Sequence, residues 1–501
     1  MSGEPEGPFY SFGPRETRGI LLGLRGGQLA LLGAAGIGAL AALRVLPGSR
    51  GMLTALGMAA LAAAASWVPL GRFTAEQWAP AILGYLWRGL LGRRRFHSHA
   101  YREGHRPGRP PVGERPRSLR GLRITAFGPE VTGGDELGVL EDRAARTYVG
   151  VLGVRGRSFS LVDRAEQDRQ VAAWSAIVAG LGRQGSPIRR LQWVERTIPE
   201  DREALARYLE EHRAPDADEE AVRSYRTLIE QATSTVQRHE GYLAVQLDLR
   251  RAWRQARLAG NRNLELGAAI VLLQQLRDLE EWLRAADLAV SGPLTARQLA
   301  GAIRYAYDPG RRLIDAIRER QGGPEGPHPE LMHPTWTAEG WATYRSGPWW
   351  HATYYVEEWP RVEVGPDFLR PLILSQSRYL RSVAMTLEPV PPLEADREVR
   401  RARVADETEE QLRARARQLT SARRRREQEH LLRTERELAD GHVSVRFAGY
   451  VTVTAPSPEE LDRAAAEVEQ QAAQARLVLG RVYGDQELAF TYTLPICRGL
   501  P

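Results

Sequence analysis

The sequence predicts an α+β chain: an N-terminal two-helix transmembrane hairpin followed by two ferredoxin-like α/β modules with long helical insertions. Three observations carry this. Two alanine-rich apolar runs, Gly27 to Leu46 and Gly51 to Leu70, stand back to back with only Pro47-Gly48-Ser49-Arg50 between them. Beyond residue 120, strand-like and helix-like segments alternate, and the order of the first half returns in the second. Finally, Glu394 to Ala439 reads as a long, highly charged helical region or helical hairpin.

Residues 1–17 are a polar tail. Each apolar run that follows is about 20 residues, the length a helix needs to cross ~30 Å of hydrocarbon. The Pro-Gly turn between them makes 18–71 a candidate membrane hairpin. A cleaved signal peptide fits poorly, because the first run is too long and the second follows at once. Arg15, Arg18 and Arg25 precede the runs and Arg72, Arg88, Arg93, Arg94 and Arg95 follow them, against Arg44 and Arg50 at the turn. The positive-inside bias therefore puts both termini and the bulk of the chain in the cytoplasm. Glycine and alanine make the runs weakly apolar, so close packing of Gly33, Ala34, Gly38 and Ala42 against Ala55, Ala59 and Ala63 is expected to hold the pair together. The alternative is a buried helical pair in a soluble core.

Residues 72–96 read as an interfacial amphipathic helix, with Trp78, Trp87, Arg88, Arg93, Arg94 and Arg95 at the membrane surface. Residues 97–120 read as an Arg/Pro linker. In a first module, 121–330, the strands are Arg146–Val154, Ile188–Thr197 and Gly241–Leu247. Its helices are Asp163–Leu181, Asp201–His212, Asp218–Thr235, Leu264–Leu288 behind an Asn263 cap, and Pro293–Tyr307. In a second, 331–501, the strands are Trp350–Glu357, Ser382–Leu387 and His442–Val453, with helices at Pro366–Ser375, Glu394–Ala439 and Ser457–Leu479. The third strand starts about 90 residues after the first in both halves, which suggests duplicated topology without residue-level identity. A split β-α-β sandwich of ferredoxin type is the natural shape for such units.

The formal charge is +7, and much of the basic excess lies between Arg88 and Arg123. Next to anionic lipid each such residue gains about 1 kcal/mol. The chain contains no lysine, so all 69 of its Lys-or-Arg side chains are arginine. A P-loop, which needs its lysine at the β/γ-phosphates, is absent, and lysine-based covalent chemistry is excluded. The single cysteine, Cys497, excludes an internal disulfide framework and a Cys-rich metal site. There is no GxSxG elbow, and the glycines from Gly33 to Gly38 lie within the first apolar run, where helix packing explains them. His97, His99 and His105 in the linker, and His328 and His333 in a Pro/Gly loop, lack the rigid partners a metal requires. Glu357 and Glu358 are adjacent and point to opposite faces of a strand. No catalytic, cofactor or metal site is expected.

Two features could be partner surfaces. One is the aromatic set Trp336, Trp341, Trp349, Trp350, Tyr354, Tyr355 and Trp359, which either fills a core or forms a docking patch. The other is the charged helix, with Arg413, Arg415, Arg417, Arg423, Arg424, Arg425 and Arg426 among Glu409, Glu410, Glu427 and Glu429. Interspersed signs fit a solvated helix or a docking surface better than a DNA-binding stripe, which would be purely basic with stacking aromatics.

The most specific wording is C-terminal. A strand-led stretch runs from Trp349 to Ile373, SVAMTLEPVPP follows, then the arginine-rich helix with SARRRRE, then GHVSVRFAGYVTVTAPSPEELDRAAAEVEQQA, and last GDQELAFTYTLPICRGLP. This resembles the N-terminal, non-motor domain of the VirB-family ATPases of type IV secretion and conjugation. Trp359-Pro360, Glu459, Leu461, Ala489-Phe490 and Leu494-Pro495 occupy the matching places. The hairpin is similar to the small PrgI or VirB-three inner-membrane subunit. The whole resembles an actinobacterial conjugation-associated membrane protein family, most strongly over 18–75 and 340–501. The chain reaches Pro501 where the family's nucleotide-binding domain would begin. What the resemblance implies is a non-enzymatic inner-membrane scaffold, oligomeric within a complex, whose partners are lipids, a separate motor ATPase and other channel subunits. The alternative is a membrane-tethered protein that binds nucleic acid and guides DNA to a channel.

Overall fold

The structure is a computed structural model that describes residues 26–70, 73–98, 115–134, 136–155, 163–198, 218–233, 238–375, 379–415 and 443–500, together with residues 209, 213, 377 and 436. The expected helix at 201–212 apart from residue 209, the charged helical region from 416 to 439 apart from residue 436, and His99 and His105 fall outside those residues.

Two apolar helices, α1 (Gly26–Val45) and α2 (Ser49–Trp67), come first. A two-strand turn, β1 (Pro69–Leu70) with β2 (Phe73–Thr74), leads into α3 (Ala75–Leu90). Then follow β3 (Arg95–His97), β4 (Leu122–Phe127), the short α4 (Pro129–Thr132), β5 (Leu137–Asp142), β6 (Thr147–Arg155), α5 (Arg164–Leu181) and β7 (Ile188–Ile198). After these come α6 (Glu219–Thr233), β8 (Arg238–Asp248), α7 (Leu249–Ala259), α8 (Leu264–Ala285), β9 (Ala289–Pro293), α9 (Ala296–Tyr307) and α10 (Pro309–Arg320). The second half runs β10 (Trp336–Glu339), β11 (Tyr344–Ser346), β12 (Trp349–Glu358), α11 (Arg370–Ile373), β13 (Leu380–Val390), α12 (Pro392–Arg415), β14 (Ser444–Ala455), α13 (Pro458–Gln474), β15 (Val478–Arg481) and α14 (Gln486–Phe490).

Strands β3 to β15 form one antiparallel sheet of thirteen strands. Its lateral order carries an internal repeat. The first half pairs as β9-β6-β8-β7 and the second as β15-β12-β14-β13. Numbering each set in chain order, both read 4-1-3-2. A hairpin of two shorter strands, β4–β5 or β10–β11, precedes each set and pairs with its first strand. Each first strand also shifts register against its fourth, at Gly153/Val154 and at Val356/Glu358. The halves join where β7 pairs with β13. Trp193 faces Met385, each the midpoint of an eleven-residue strand, so an approximate twofold axis passes through the seam.

Alternation along the strands sorts side chains to two faces. On one face Leu243, Val245, Leu152 and Leu191 meet α5, α7 and α8, while Val451, Val453 and Ala352 meet α11 and α13. On the other, Val149, Val151, Val194 and Ala244 meet α9, whose Leu299, Ala300, Ile303 and Tyr307 are buried. The N-caps follow the sequence: Asp163 accepts from Glu166 N, Asn263 from Leu266 N, and Thr295 forms a capping box with Gln298.

The expected linker is partly built into the fold. β3 pairs with β10, Leu119 is buried in the core, and Arg115 and Arg117 reach Glu330 and Asp485. The helix expected to run to Leu479 ends at Gln474, because Leu477 and Leu479 turn into the core and β15 completes the second set. Strands from both sides of residue 330 share one sheet, joined where β7 pairs with β13.

Helices α7 and α8 cross at bare backbone. A Cβ on Gly267 would lie 1.7 Å from Ala256 O and 2.9 Å from Gly260 N. Gly267→Ala is therefore expected to push the helices apart and cost about 1–3 kcal/mol, a typical overpacking penalty. Chemical denaturation of the detergent-solubilised chain against wild type measures it.

Candidate functional site

The surface that departs most from a soluble protein is built by α1, α2 and α3. Helices α1 and α2 pack antiparallel, and the buried Gln28 donates from Nε2 to Ser66 O at 2.9 Å. Gly38 makes room for Met58, and Gly51 lies against the Ala42 carbonyl. Of the small residues expected between the helices, Gly38, Ala42, Ala55 and Ala63 are half-buried, whereas Gly33, Ala34 and Ala59 face outward. The large apolar side chains also point out: Ile37 is 73% exposed and Leu53 69%.

Among the described residues, one helix, Gly26–Val45, is long and apolar enough to cross a membrane. The expectation of a second span is corrected: α2 does not meet that standard. It begins at Ser49-Arg50, ends at Ser66-Trp67, and is rich in alanine and glycine, which add little transfer free energy.

Helix α3 is capped by Thr74, whose N–H donates to Gln77 Oε1 at 3.0 Å. It has two faces. Leu83, Leu86, Trp87 (64% exposed) and Leu90 (82%) point away from the protein. Trp78, Tyr85 and Arg88 point toward it. Trp78 lies 5.9 Å from Trp341 and 5.3 Å from Tyr483 between ring centroids, Tyr85 is 5.3 Å from Trp341, and the Arg94 guanidinium sits 4.4 Å over Tyr85. The expected interface set is thus divided. Trp87, Arg93 and Arg95 remain exposed, whereas Trp78 and Arg88 face the second half of the sheet and Arg94 stacks on Tyr85 of α3.

Arg88 reaches furthest. Its Nε donates to Glu339 Oε2 at 3.2 Å and its Nη2 donates to Gly484 O, with Asp485 Oδ1 3.8 Å away. Arg117 Nη2 donates to the same Asp485 oxygen at 2.7 Å. Glu487 accepts from Ser118 N at 2.8 Å, and its own N–H donates to Glu339 Oε1 at 3.4 Å. The Glu339 side chain is fully buried. That burial, together with the nearby Asp485 and Glu487, outweighs Arg88 and Arg117 and pushes its carboxyl up to about 7. Gly484, at φ +75°, is needed twice: the backbone is left-handed, and a Cβ would lie 3.0 Å from Ala81 O on α3.

The aromatic set does not form one patch. Tyr354 is buried under α13, and Trp359 packs edge-on against Phe447 at 5.1 Å. Trp336 and Trp350 sandwich the Arg345 guanidinium, and Trp349 donates from Nε1 to Asp308 at 3.1 Å. Trp341 belongs to the α3 junction. Arg423, Arg424, Arg425 and Arg426 lie outside the described residues.

Sequence reading missed a buried polar layer. Ser346 Oγ lies 2.7 Å from His351 Nε2, and His351 Nδ1 lies 2.9 Å from Thr454 Oγ1. The spacing looks like a nucleophile and its base, but the directions are wrong. Ser346 donates its proton to Tyr307 O at 2.6 Å, so Nε2 carries the proton on the imidazole and Nδ1 accepts from Thr454. Burial holds His351 down to about 3, so it stays neutral and structural. Alongside, Thr353, Thr452 and Thr493 form a chain of hydroxyls at 2.9 and 2.8 Å. Gln192 accepts from Ile496 N at 3.0 Å and Cys497 N at 2.7 Å and donates to Tyr492 O at 2.8 Å, fastening the C-terminal segment to the sheet. Among the described residues no group of three or more His, Cys, Asp or Glu side chains could hold a metal ion. No protein-family model matches this chain, and no curated protein matches it.

Gln192→Ala leaves two buried N–H groups unsatisfied, at about 1–3 kcal/mol each. The sole cysteine, Cys497, is fully buried and its thiol is pushed up by burial, so it should resist thiol reagents in the wild type. In Gln192→Ala its labelling rate is expected to rise by roughly 10- to 100-fold, read by a thiol-reactive chromophore.

Proposed function

We propose that the chain is a non-enzymatic inner-membrane scaffold of a type IV secretion or conjugation-like system, which anchors and positions a separate P-loop motor ATPase. The observation that carries the membrane half is the continuous set of outward-facing apolar side chains on α1, α2 and α3, larger than a soluble monomer ordinarily tolerates. In this reading α1 spans the bilayer and α2 packs antiparallel against it. The outer face of α3, with Trp87, Arg93 and Arg95 beside it, rests among the headgroups of the cytoplasmic leaflet. The secretion half rests on the C-terminal wording and its resemblance to the non-motor domain of VirB-family ATPases.

Each four-strand set, with its 4-1-3-2 order and one helix-covered face, we read as a ferredoxin-type unit, carrying α6 or α12 as an insertion between its second and third strands. The mechanism is placement: a motor held within nanometres of a pore has a high effective concentration there. Rigid coupling from α3 into the sheet would transmit its strokes to the apolar helices.

Carbonate-washed membranes are expected to retain the protein, and a mild-detergent pull-down is expected to recover a P-loop ATPase, while the purified chain hydrolyses no ATP. Release by carbonate, or turnover of ATP by the chain alone, defeats the reading. DNA binding with a steep inverse dependence on salt would favour the nucleic-acid alternative.

A further inference from the structure

We propose that α7 and the loop between β5 and β6 make a second contact with the membrane, where the headgroup of an anionic phospholipid enters a cleft walled by Arg143, Arg146, Arg250 and Trp253. This rests on the reading of α1, α2 and α3 as the membrane anchor. The cleft has a volume of about 410 Å³, and the buried Tyr148 also lines it. Four of the eleven residues of α7 are arginine and none is acidic. Its buried face is Ala252 and Ala256, which leaves Arg250, Arg254 and Arg257 exposed, together with Leu258 (84%) and Trp253 (44%). Leu249 N donates to Arg146 O at 3.1 Å and fastens the loop to the start of the helix. Arg146 sits at φ +56°, a left-handed conformation that glycine adopts more readily, so an arginine is held there against local preference. The acids that line the cleft are already engaged. Asp142 accepts from Arg498 Nη2 at 3.3 Å and from Ala144 N and Ala145 N at 3.1 Å, and Glu141 accepts from Arg143 Nε at 3.4 Å. Asp248 caps α7, accepting from Arg250 N at 2.8 Å, and Glu265 lies near Tyr148. Among the described residues Arg146 and Arg250 form no ion pair, so positive charge is in excess and suits a phosphate.

Strand direction puts this cluster at the end of the sheet where α3 docks. Trp341, on which α3 packs, lies in the turn between β10 and β11. From there every pairing through β12, β14, β13, β7, β8 and β6 is antiparallel, so that end carries Asp248 at the finish of β8 and Thr147 at the start of β6. The C-terminal segment bridges the two places. Asp485 lies 3.8 Å from Arg88 Nη2 of α3 and accepts from Arg117 at 2.7 Å, while Arg498 donates to Ser118 O and to Asp142 beside the cleft. An anionic leaflet around α1 to α3 is therefore the nearest large source of phosphate. Trp253 beside guanidiniums has the amphipathic character of a headgroup-level side chain. A single-stranded nucleic acid would instead use a succession of stacking aromatics, whereas α7 offers one indole, with the Arg257 guanidinium 5.3 Å from its ring centroid.

The test uses the full chain in nanodiscs of phosphatidylcholine, alone or with about a third phosphatidylglycerol. Leu258→Cys carries an environment-sensitive fluorophore, and the fully buried Cys497 should not compete for it. A lipid spin-labelled at its headgroup quenches the fluorophore on contact. Quenching is expected in the anionic discs and absent in pure phosphatidylcholine. Each arginine next to anionic lipid contributes roughly a fivefold factor, so combining Arg146→Glu with Arg250→Glu should weaken the contact by at least about 25-fold. Raising the salt to about 0.5 M should weaken it as well, without any change to the arginines, so this arm decides if the charge-reversed chain fails to fold. Equal quenching in the two discs, no quenching in the anionic one, or quenching indifferent to salt or to charge reversal overturns the site. Its loss on adding a single-stranded oligonucleotide or inorganic phosphate, at constant ionic strength, overturns it in favour of that ligand. A chain that separates from the discs on size exclusion defeats the anchor reading itself, and the site with it.

Discussion

The pairing of β7 with β13 is the constraint on which the rest of the structure depends. Each four-strand set ends laterally in its second strand, and a free eleven-residue strand of this kind would offer a full row of unpaired backbone groups. Laying the two together pairs the central stretches, Leu191 to Arg196 with Ser382 to Leu387. The seam is reinforced where Arg190 Nε meets Glu388 Oε2 at 2.5 Å, both side chains nearly buried, with Arg189 and Arg446 closing on the same carboxylate. Because the seam is symmetric about Trp193 and Met385, the two sets face opposite ends of the sheet. The molecule is in effect an internal dimer, with the closure that symmetric association ordinarily provides between chains.

A sheet this wide needs both faces covered. One face uses helices from within each set. The other is covered by α9 and by the C-terminal segment, and there the chemistry changes across the seam. Under α9 the strand residues are apolar: Val149, Val151 and Ala244. Under the C-terminal segment they are His351, Thr353, Thr386 and Thr452, because what lies on them is irregular backbone, whose carbonyls and amides need partners. Gln192 and Gln486 act as surrogate backbone. Gln486 accepts from Thr353 N at 2.9 Å and donates to Thr353 O at 3.2 Å, as an adjacent strand would. A catalytic-looking serine and histidine arise in this layer for the same structural reason.

The route from the apolar helices into the sheet is short. Helix α3 presents one face to whatever surrounds α1 and α2 and the other to Trp341, Tyr483 and Glu339, and its chain continues through Arg94 directly into β3. Movement of the apolar pair is therefore delivered to the β3–β10 end of the sheet, the end farthest from β4 along the strand order. A buried carboxylate at such a joint is costly when unpaired, and Arg88 of α3 supplies its partner.

Much of this was written in local pattern. The apolar runs, the caps at Asp163 and Asn263, and the long strands at 147–155, 188–198, 238–248, 349–358, 380–390 and 444–455 are legible because period and capping are properties of a few neighbouring residues. So was the repeated order of elements. The short strands β3, β4, β5, β9, β10, β11 and β15 were not, since a stretch of three to six residues becomes a strand only when a partner is beside it. The fate of individual candidates was equally non-local. Trp78 and Arg88 read as interfacial from their own helix but are claimed by Trp341 and Glu339, some 250 residues away in sequence, as the 251-residue separation of Arg88 and Glu339 illustrates. The sequence determined by itself that this chain has apolar helices and two successive α/β sets. Only the tertiary structure decided that the sets share one sheet and that α3 is locked to it through a buried acid, because edge pairing and desolvation depend on which distant groups meet.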